Sequence, residues 1–292
     1  MKVSTIGWTD YSSGNLNFAS GCTPAGPGCK NCYAAAIYER FNCEARFGRP
    51  FSEVTWHQDK LDRLLTQRFP EYSPKRGAPH RPMCFVCDTG DLFHEDMSDS
   101  RIAQAFALMQ DRQNVVWQVL TKRAQRMHDL WNSREFYWWL GVHNDKLGGR
   151  PTVWPTDNIW LGVSVCDQAT ADERIPLLLN TPAAVRFVSV EPMLAPVDLT
   201  YCKHRVPPYC THCSGHEHLC HGWLDGINQV ICGAESGPNR RPFKREWAEG
   251  LWSQCREAGV AFYGKQDSGA RPGVPLVLRT GDVVHEWPEG AR

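Results

Sequence analysis

The 292-residue sequence has no excess of charge of either sign, with 32 Lys and Arg against 32 Asp and Glu. A global field that gathers nucleic acid or an anionic membrane is thereby excluded, and any polyanion must be met by a local patch. Long apolar runs are absent as well: the longest are strand-length, too short for a bilayer. The N-terminus shows no basic segment followed by an apolar stretch, so no secretory signal is read, and a soluble, cytoplasmic protein without a membrane partner is expected. Low-complexity tracts and repeats of fixed period are missing too, which argues against a disordered or solenoid chain.

Cysteine, by contrast, is plentiful. Thirteen are present, and seven of them fall in two tight groups. With no secretory signal, disulfides are the weaker reading; metal ligands plus small buried hydrophobes are the stronger one.

From residue 80 onward, short β-rich runs alternate with helical stretches, the pattern of a parallel sheet wrapped by helices. Strands are expected at 83–88, 115–121, 159–165, 185–191, 229–235 and 260–265. Their nearly continuous apolar character fits a sheet covered on both faces. SDSRIAQAFALMQD reads as a helix capped by Ser98, ATADERIPLLLN as a helix limited or kinked by Pro176, and REWAEGLWSQCREAG as a helix closed by Gly259. The stretch 141–158, with its glycines and prolines, is expected as a surface loop.

Nearly every expected strand ends in polar residues: Asp88 and Asp91; Thr121, Lys122 and Arg123; Ser164; Ser189 and Glu191; Glu235 and Ser236; Lys265 and Gln266. Ligands of barrels and open α/β sheets sit at the C-terminal ends of strands, so these residues define an expected rim. Glu191 and Glu235 each terminate an apolar strand, where a buried carboxylate needs a partner, and Lys265 is a candidate for that role across the barrel. Substrate orientation or proton transfer by Glu191, Glu235 and Lys265 is one reading; a structural ion pair is the other.

Upstream lies GCTPAGPGCKNCYA, where Cys22, Cys29 and Cys32 are spaced with six and two residues between them, in a loop rich in Gly and Pro. Thiolates are the soft ligands that iron clusters prefer, and glycines let backbone fold closely around such a centre. Closed zinc sites and ordinary electron-transfer clusters take four protein ligands, whereas three leave one iron open to a substrate or cofactor. The competing reading is a structural zinc site completed by Cys43, Cys84, Cys87 or His57.

The second group, Cys202, Cys210, Cys213 and Cys220, lies in a polar, His-laden insert at 201–225 between two strands. Four cysteines with a two-residue knuckle suit a tetrahedral zinc site, and so polar a loop needs metal to order it. An auxiliary iron-sulfur cluster and a metal-free loop are the alternatives.

The run TIGWTDYSSGNLNFASGCTPAGPGCKNCYA resembles the opening of an uncharacterised phage and bacterial family of radical-SAM-like three-cysteine proteins. DTGDLFHEDM, WQVLTKRAQRM, NIWLGVSV, RFVSVEPML, VICGAESGPNRRPF and CREAGVAFYGKQ extend the resemblance in order along almost the whole chain. It implies an α/β fold, a partial (β/α) barrel of the radical SAM type over 1–270, interrupted by the Cys/His insert and followed by a C-terminal tail at 271–292. It also implies a 4Fe-4S cluster and S-adenosylmethionine (SAM), whose sulfonium is cleaved by one electron from an external donor. The six-residue gap departs from the three residues usual in radical SAM proteins, and Cys166 stands where relatives carry an acidic residue.

On that resemblance, Asp88 and Asp91 are candidates for the SAM amino group or ribose, Ser164 for the ribose or carboxylate, and Lys122, Arg123 and Arg174 for the carboxylate. A nucleobase, nucleoside or nucleic acid is the first expected substrate, from the basic clusters KRAQR and NRRPFKR and the 12 tryptophans. A small metabolite or protein side chain is the second. A zinc-stabilised nucleic-acid-binding or adaptor protein without catalysis is the third reading, which the convergent polar strand ends disfavour.

Overall fold

A computed structural model of the chain describes residues 2–12, 17–149, 153–200 and 222–288. The strands there are β1 (Tyr11–Ser12), β2 (Ala19–Ser20), β3 (Thr55–Trp56), β4 (Met83–Val86), β5 (Val116–Thr121), β6 (Ile159–Val165), β7 (Val185–Val190), β8 (Gln229–Gly233) and β9 (Ala261–Gln266). The helices are α1 (Tyr33–Arg40), α2 (Cys43–Phe47), α3 (Gln58–Thr66), α4 (Asp99–Asp111), α5 (Ala124–Trp131), α6 (Arg134–Lys146), α7 (Gln168–Leu179) and α8 (Arg245–Glu257).

Seven strands form one parallel sheet in the order β1-β4-β5-β6-β7-β8-β9, and β2 pairs with β3 separately and antiparallel. Each main-sheet strand lies beside its predecessor, so the sheet winds in one direction without the reversal of a doubly wound fold. With β1 and β9 as its edges, it is a partial (β/α) barrel, as expected. The edge of β9 is covered by the chain that follows: Gly264 N donates to Val284 O at 2.8 Å and Glu286 N to Phe262 O at 2.9 Å.

Alternation along the strands separates two cores. The face toward the helices carries Ile159, Leu161, Val163 and Val165 of β6 with Val188, Val190, Val230 and Cys232, packed against Phe106, Ile175 and Leu251 of the helices. The inner face carries Trp8, Met83, Phe85, Val116, Trp160, Val185, Phe187, Ile231 and Tyr263. Gly162 makes room there, because a Cβ at that position would stand 2.6 Å from the Phe187 ring. Following the register upward, Trp160 pairs with Val185, Gly162 with Phe187 and Ser164 with Ser189, so this face turns from aromatic to polar toward the C-terminal strand ends.

Ser98 caps α4 as expected, accepting from Arg101 N at 3.4 Å. The α7 helix starts with an Asp167–Thr170 capping box and runs through Pro176 instead of stopping there, forgoing the bond that proline cannot donate. The expected loop at 141–158 is corrected at its start: α6, capped by Ser133, continues to Lys146. The expected tail after 270 packs on the barrel, with Leu276 and Leu278 buried. Cys202, Cys210, Cys213 and Cys220 lie outside the described residues.

Candidate functional site

The three-cysteine loop lies across the C-terminal end of the sheet. It enters through Gly21, whose N–H donates to Thr89 O at 3.1 Å, and Cys22 N then donates to Phe51 O at 2.9 Å. Only glycine fits at residue 21: φ is +85°, and a Cβ would meet Glu53 O at 2.2 Å. The loop then makes a 3-10 turn at Pro27–Cys29, and Cys32 sits at the N-cap of α1. Cys22, Cys29 and Cys32 are free and half-buried.

Three arginines reach this loop from different parts of the barrel. Arg123, 7% exposed, follows β5; its Nη2 donates to Thr23 O at 3.1 Å and Thr23 Oγ1 at 3.0 Å, and its Nη1 to Cys22 Sγ at 3.4 Å. Its remaining donors meet Asp91 Oδ2 at 3.3 Å and Glu95 at 2.8 Å, so all five N–H groups of the guanidinium face acceptors. Arg174 of α7, 3% exposed, joins Ser164 O and Ala25 O at 2.7 Å each. Arg241, beyond β8, donates to Pro27 O at 2.9 Å and pairs with Glu235. The carbonyls of residues 23, 25 and 27 are thus each held by a different arginine.

The carboxylates at the strand ends are mostly engaged. Asp91, 6% exposed, accepts from Phe93 N (3.0 Å), Thr121 Oγ1 (2.7 Å), Lys122 N (3.1 Å) and Arg123 Nη1. Asp88 accepts from Asn17 Nδ2 at 2.9 Å. Glu235 accepts from Arg241 N at 2.8 Å and from Asn31 Nδ2 at 2.9 Å. Burial pushes the Glu235 carboxyl up, but its bonds from Arg241 and Asn31 outweigh this and hold it below the usual value. Ser164 Oγ donates to Glu191 O at 3.2 Å. Lys265 and Glu191 form an ion pair that spans β8, passing Gly233, where a Cβ would stand 3.5 Å from both side chains. Lys122 is half-buried at the same rim, and its ammonium has no ion-pair partner among the described residues.

The donor set fits a thiolate-bound cluster. Three free thiols lie on one loop, and an N–H bond from Ala25 reaches Cys29 Sγ at 3.4 Å. Burial and, after it, Asp91 push the Cys22 thiol up while Arg123 pulls it back, so a metal binding there displaces a proton. The expected competitors stand elsewhere. Cys43 starts α2, and the eight residues of α1 separate it from Cys32 by about 12 Å at 1.5 Å per residue. Cys84 and Cys87 are buried in the helix-side core, their thiols pushed up by burial. His57 bonds Ser20 Oγ at 2.8 Å, with burial pulling it down to about 4. Among the described residues, no three His, Cys, Asp or Glu side chains, the loop thiols included, stand as a group that could hold a metal ion, so the fit is one of donor chemistry on a single loop.

Sequence reasoning missed Arg241, Asn31, Thr23, Glu95 and His94, whose Nε2 bonds Thr23 Oγ1 at 2.8 Å. Arg241 lies in NRRPFKR, read there as a basic patch, yet it points inward to Glu235 and Pro27. In KRAQR, Arg123 is buried and Arg126 pairs with Asp99, so that cluster is no solvated patch either. Cys166 is buried beneath the loop, where a Cβ on Gly28 would stand 3.5 Å from its own Cβ, and its Sγ takes the Thr170 hydroxyl at 3.6 Å.

A family described as "Protein of unknown function (DUF5131)" matches residues 3–274. No curated protein matches the sequence. Among solved structures, the fold is similar to spore photoproduct lyase complexed with dinucleoside spore photoproduct, at 11% identity over 92% of this chain and 78% of that one, TM-score 0.43. A cysteine-to-alanine mutant of that lyase with the same dinucleoside aligns at 12% identity over 92% and 78%, TM-score 0.46. A double mutant of it with bound AdoMet and the dinucleoside aligns at 11% over 91% and 77%, TM-score 0.44.

Proposed function

The chain belongs to that family of unknown function, and we propose that it is a radical SAM enzyme acting on a nucleobase or nucleic acid. The observation that carries this reading is the loop itself: three half-buried free thiols at the polar mouth of a partial barrel, with Cys43 a helix length away. Held there by Cys22, Cys29 and Cys32, a 4Fe-4S cluster would supply, together with SAM and an external electron donor, one-electron cleavage of the sulfonium.

The chain's own residues then have separate tasks. Cys22, Cys29 and Cys32 hold the cluster. Lys122 offers its ammonium to the SAM carboxylate, because Arg123 and Arg174 are committed to the loop. Asp88 and Ser164 would bind the SAM amino group and ribose, and Asp91 acts through Arg123, since its acceptor sites are taken. Glu191 and Lys265 orient the substrate, with a proton held on Lys265 Nζ against the Glu191 carboxylate. The aromatic inner layers below exclude water from the mouth.

A base-stacking surface adjoins this mouth. Tyr33, Ile37 and Phe41 recur every four residues along and just past α1 and are 51%, 42% and 63% exposed, with the Arg40 guanidinium 5.8 Å from the Phe41 ring. Exposed rings backed by a cation suit unpaired bases better than a small polar metabolite.

The test is anaerobic reconstitution with iron and sulfide, reduction and addition of SAM. The expected result is about four irons per chain, as a cubane requires, and slow release of 5'-deoxyadenosine and methionine. Oligonucleotides or nucleosides should accelerate it more than metabolites or peptides do. Replacing Cys22, Cys29 and Cys32 by Ala should abolish both. A loaded, reduced protein whose paramagnetic resonance signal ignores SAM would sink the proposal and favour a non-catalytic adaptor.

A further inference from the structure

The three arginines on the cysteine loop share a geometry that ion pairing alone does not explain. Each guanidinium bridges the loop to the barrel through different nitrogens or different faces of one fork. Arg123 joins Asp91 and Glu95 to Thr23 O; Arg174 joins Ser164 O to Ala25 O; Arg241 joins Glu235 to Pro27 O. The acceptors on the loop are alternate carbonyls, 23, 25 and 27, within the six residues between Cys22 and Cys29. A six-residue gap is a long arc to leave unsupported, and beside a Thr23 Oγ1–His94 Nε2 bond at 2.8 Å these arginine bonds tie three of its carbonyls to the ends of three strands or their connections.

We propose that Arg123, Arg174 and Arg241 are positioning residues that fix the loop in its liganding arc before any cluster is present. The physical basis is the rigid guanidinium fork, which holds two acceptors at a set separation, whereas a lysine ends in a single nitrogen. Arg174 and Arg123 are buried, so their bonds to the loop carbonyls are protected from water. Arg123 has an added consequence: its Nη1 donates to Cys22 Sγ, and a cationic N–H on a ligand sulfur stabilises the reduced cluster and raises its potential. Arg174 and Arg241 donate to carbonyls of the loop and should leave the potential alone.

The test uses the full chain with Arg174→Lys, Arg241→Lys and Arg123→Lys, which keep the charge and remove the fork. In the cluster-free protein, amides of residues 22–32 should exchange on the order of tenfold faster in Arg174→Lys and Arg241→Lys, with β6 and β8 unchanged. In reconstituted protein, the midpoint potential should fall in Arg123→Lys and match the parent in Arg174→Lys. Loop amides that exchange at the parent rate in both of the first two variants would overturn the proposal, as would faster exchange spread evenly over loop and strands. A parent potential in Arg123→Lys would remove the role of Arg123. The potential rests on the cluster reading and the exchange does not, so a parent protein that takes up no iron would defeat that reading while the exchange still decides this one.

Discussion

The two ends of the barrel use charge and aromatic residues in opposite ways. At the N-terminal end, Trp8 packs against Phe85 and Phe187 with ring centroids 4.8 and 6.1 Å apart, and a Cβ on Gly7 would stand 2.5 Å from the Tyr263 hydroxyl. The charges there close backbone: buried Asp10 accepts from Ser73 Oγ at 2.7 Å, Lys75 N at 3.2 Å and Met83 N at 2.8 Å, and Lys75 Nζ donates to Ile6 O at 2.6 Å. At the C-terminal end the charges hold up a loop and leave its thiols half-exposed. One end is therefore a plug and the other a mouth, and the same sheet supports both because its inner face changes character along each strand.

If the ends are independent, damage to the plug should cost stability and spare the site. Phe187→Ala removes a fully buried ring from the inner core and should lower unfolding free energy by about 3–5 kcal/mol. Denaturant unfolding measures that loss, and iron bound per folded chain should stay at the parent value. A parallel fall in iron content of the folded fraction would mean that the mouth depends on the plug.

Much of the sheet was legible in the sequence because burial on both faces writes long apolar runs, which is why the six expected strands coincide with β4 to β9. Strand β1 was not legible: two residues carry no period, and its place is set by pairing Tyr11 with Cys84. The polar strand ends also marked the rim, and the Glu191–Lys265 pair follows from a carboxylate ending an apolar strand. What the sequence hid was the partner of each arginine. Arg123 and Arg241 read as members of basic clusters because their loop partners lie 100 and 214 residues away. Long-range side-chain pairing leaves no local pattern, so a buried bridge and a solvated patch look alike until the chain is folded.

That distinction predicts unequal behaviour within KRAQR. Lys122 has no ion-pair partner at the mouth among the described residues, whereas Arg126 pairs with Asp99 on the helix side. Lys122→Ala should weaken SAM binding by about 10- to 100-fold, the value of one hydrogen bond to a charged group, with iron content unchanged. Arg126→Ala should leave SAM affinity near the parent. Titrating the reduced, loaded protein with SAM and following the paramagnetic resonance signal compares the two directly. Equal affinities for the parent and Lys122→Ala would assign the SAM carboxylate to another group.

The smallest expected effect is a pH dependence at the mouth. Glu235 is held below the usual carboxyl value of 4.5: burial raises it, and the bonds from Arg241 and Asn31 more than offset that. A depressed acid stabilises the fold fully above its unfolded value and loses that contribution as pH falls through the folded one. Arg241 stays charged throughout, so protonation of Glu235 is what loosens its grip on the loop at Pro27. Exchange of the Arg241 amide, which donates to Glu235 at 2.8 Å, should therefore be slow above pH 4.5 and quicken below it once corrected for intrinsic rates. Glu235→Gln should show no such acid limb, because a neutral amide has no proton to gain there. An acid limb that survives in Glu235→Gln would place the titrating group elsewhere, with Glu95 on Arg123 next in line, since its bonds from Arg123 outweigh burial and hold it low in the same way.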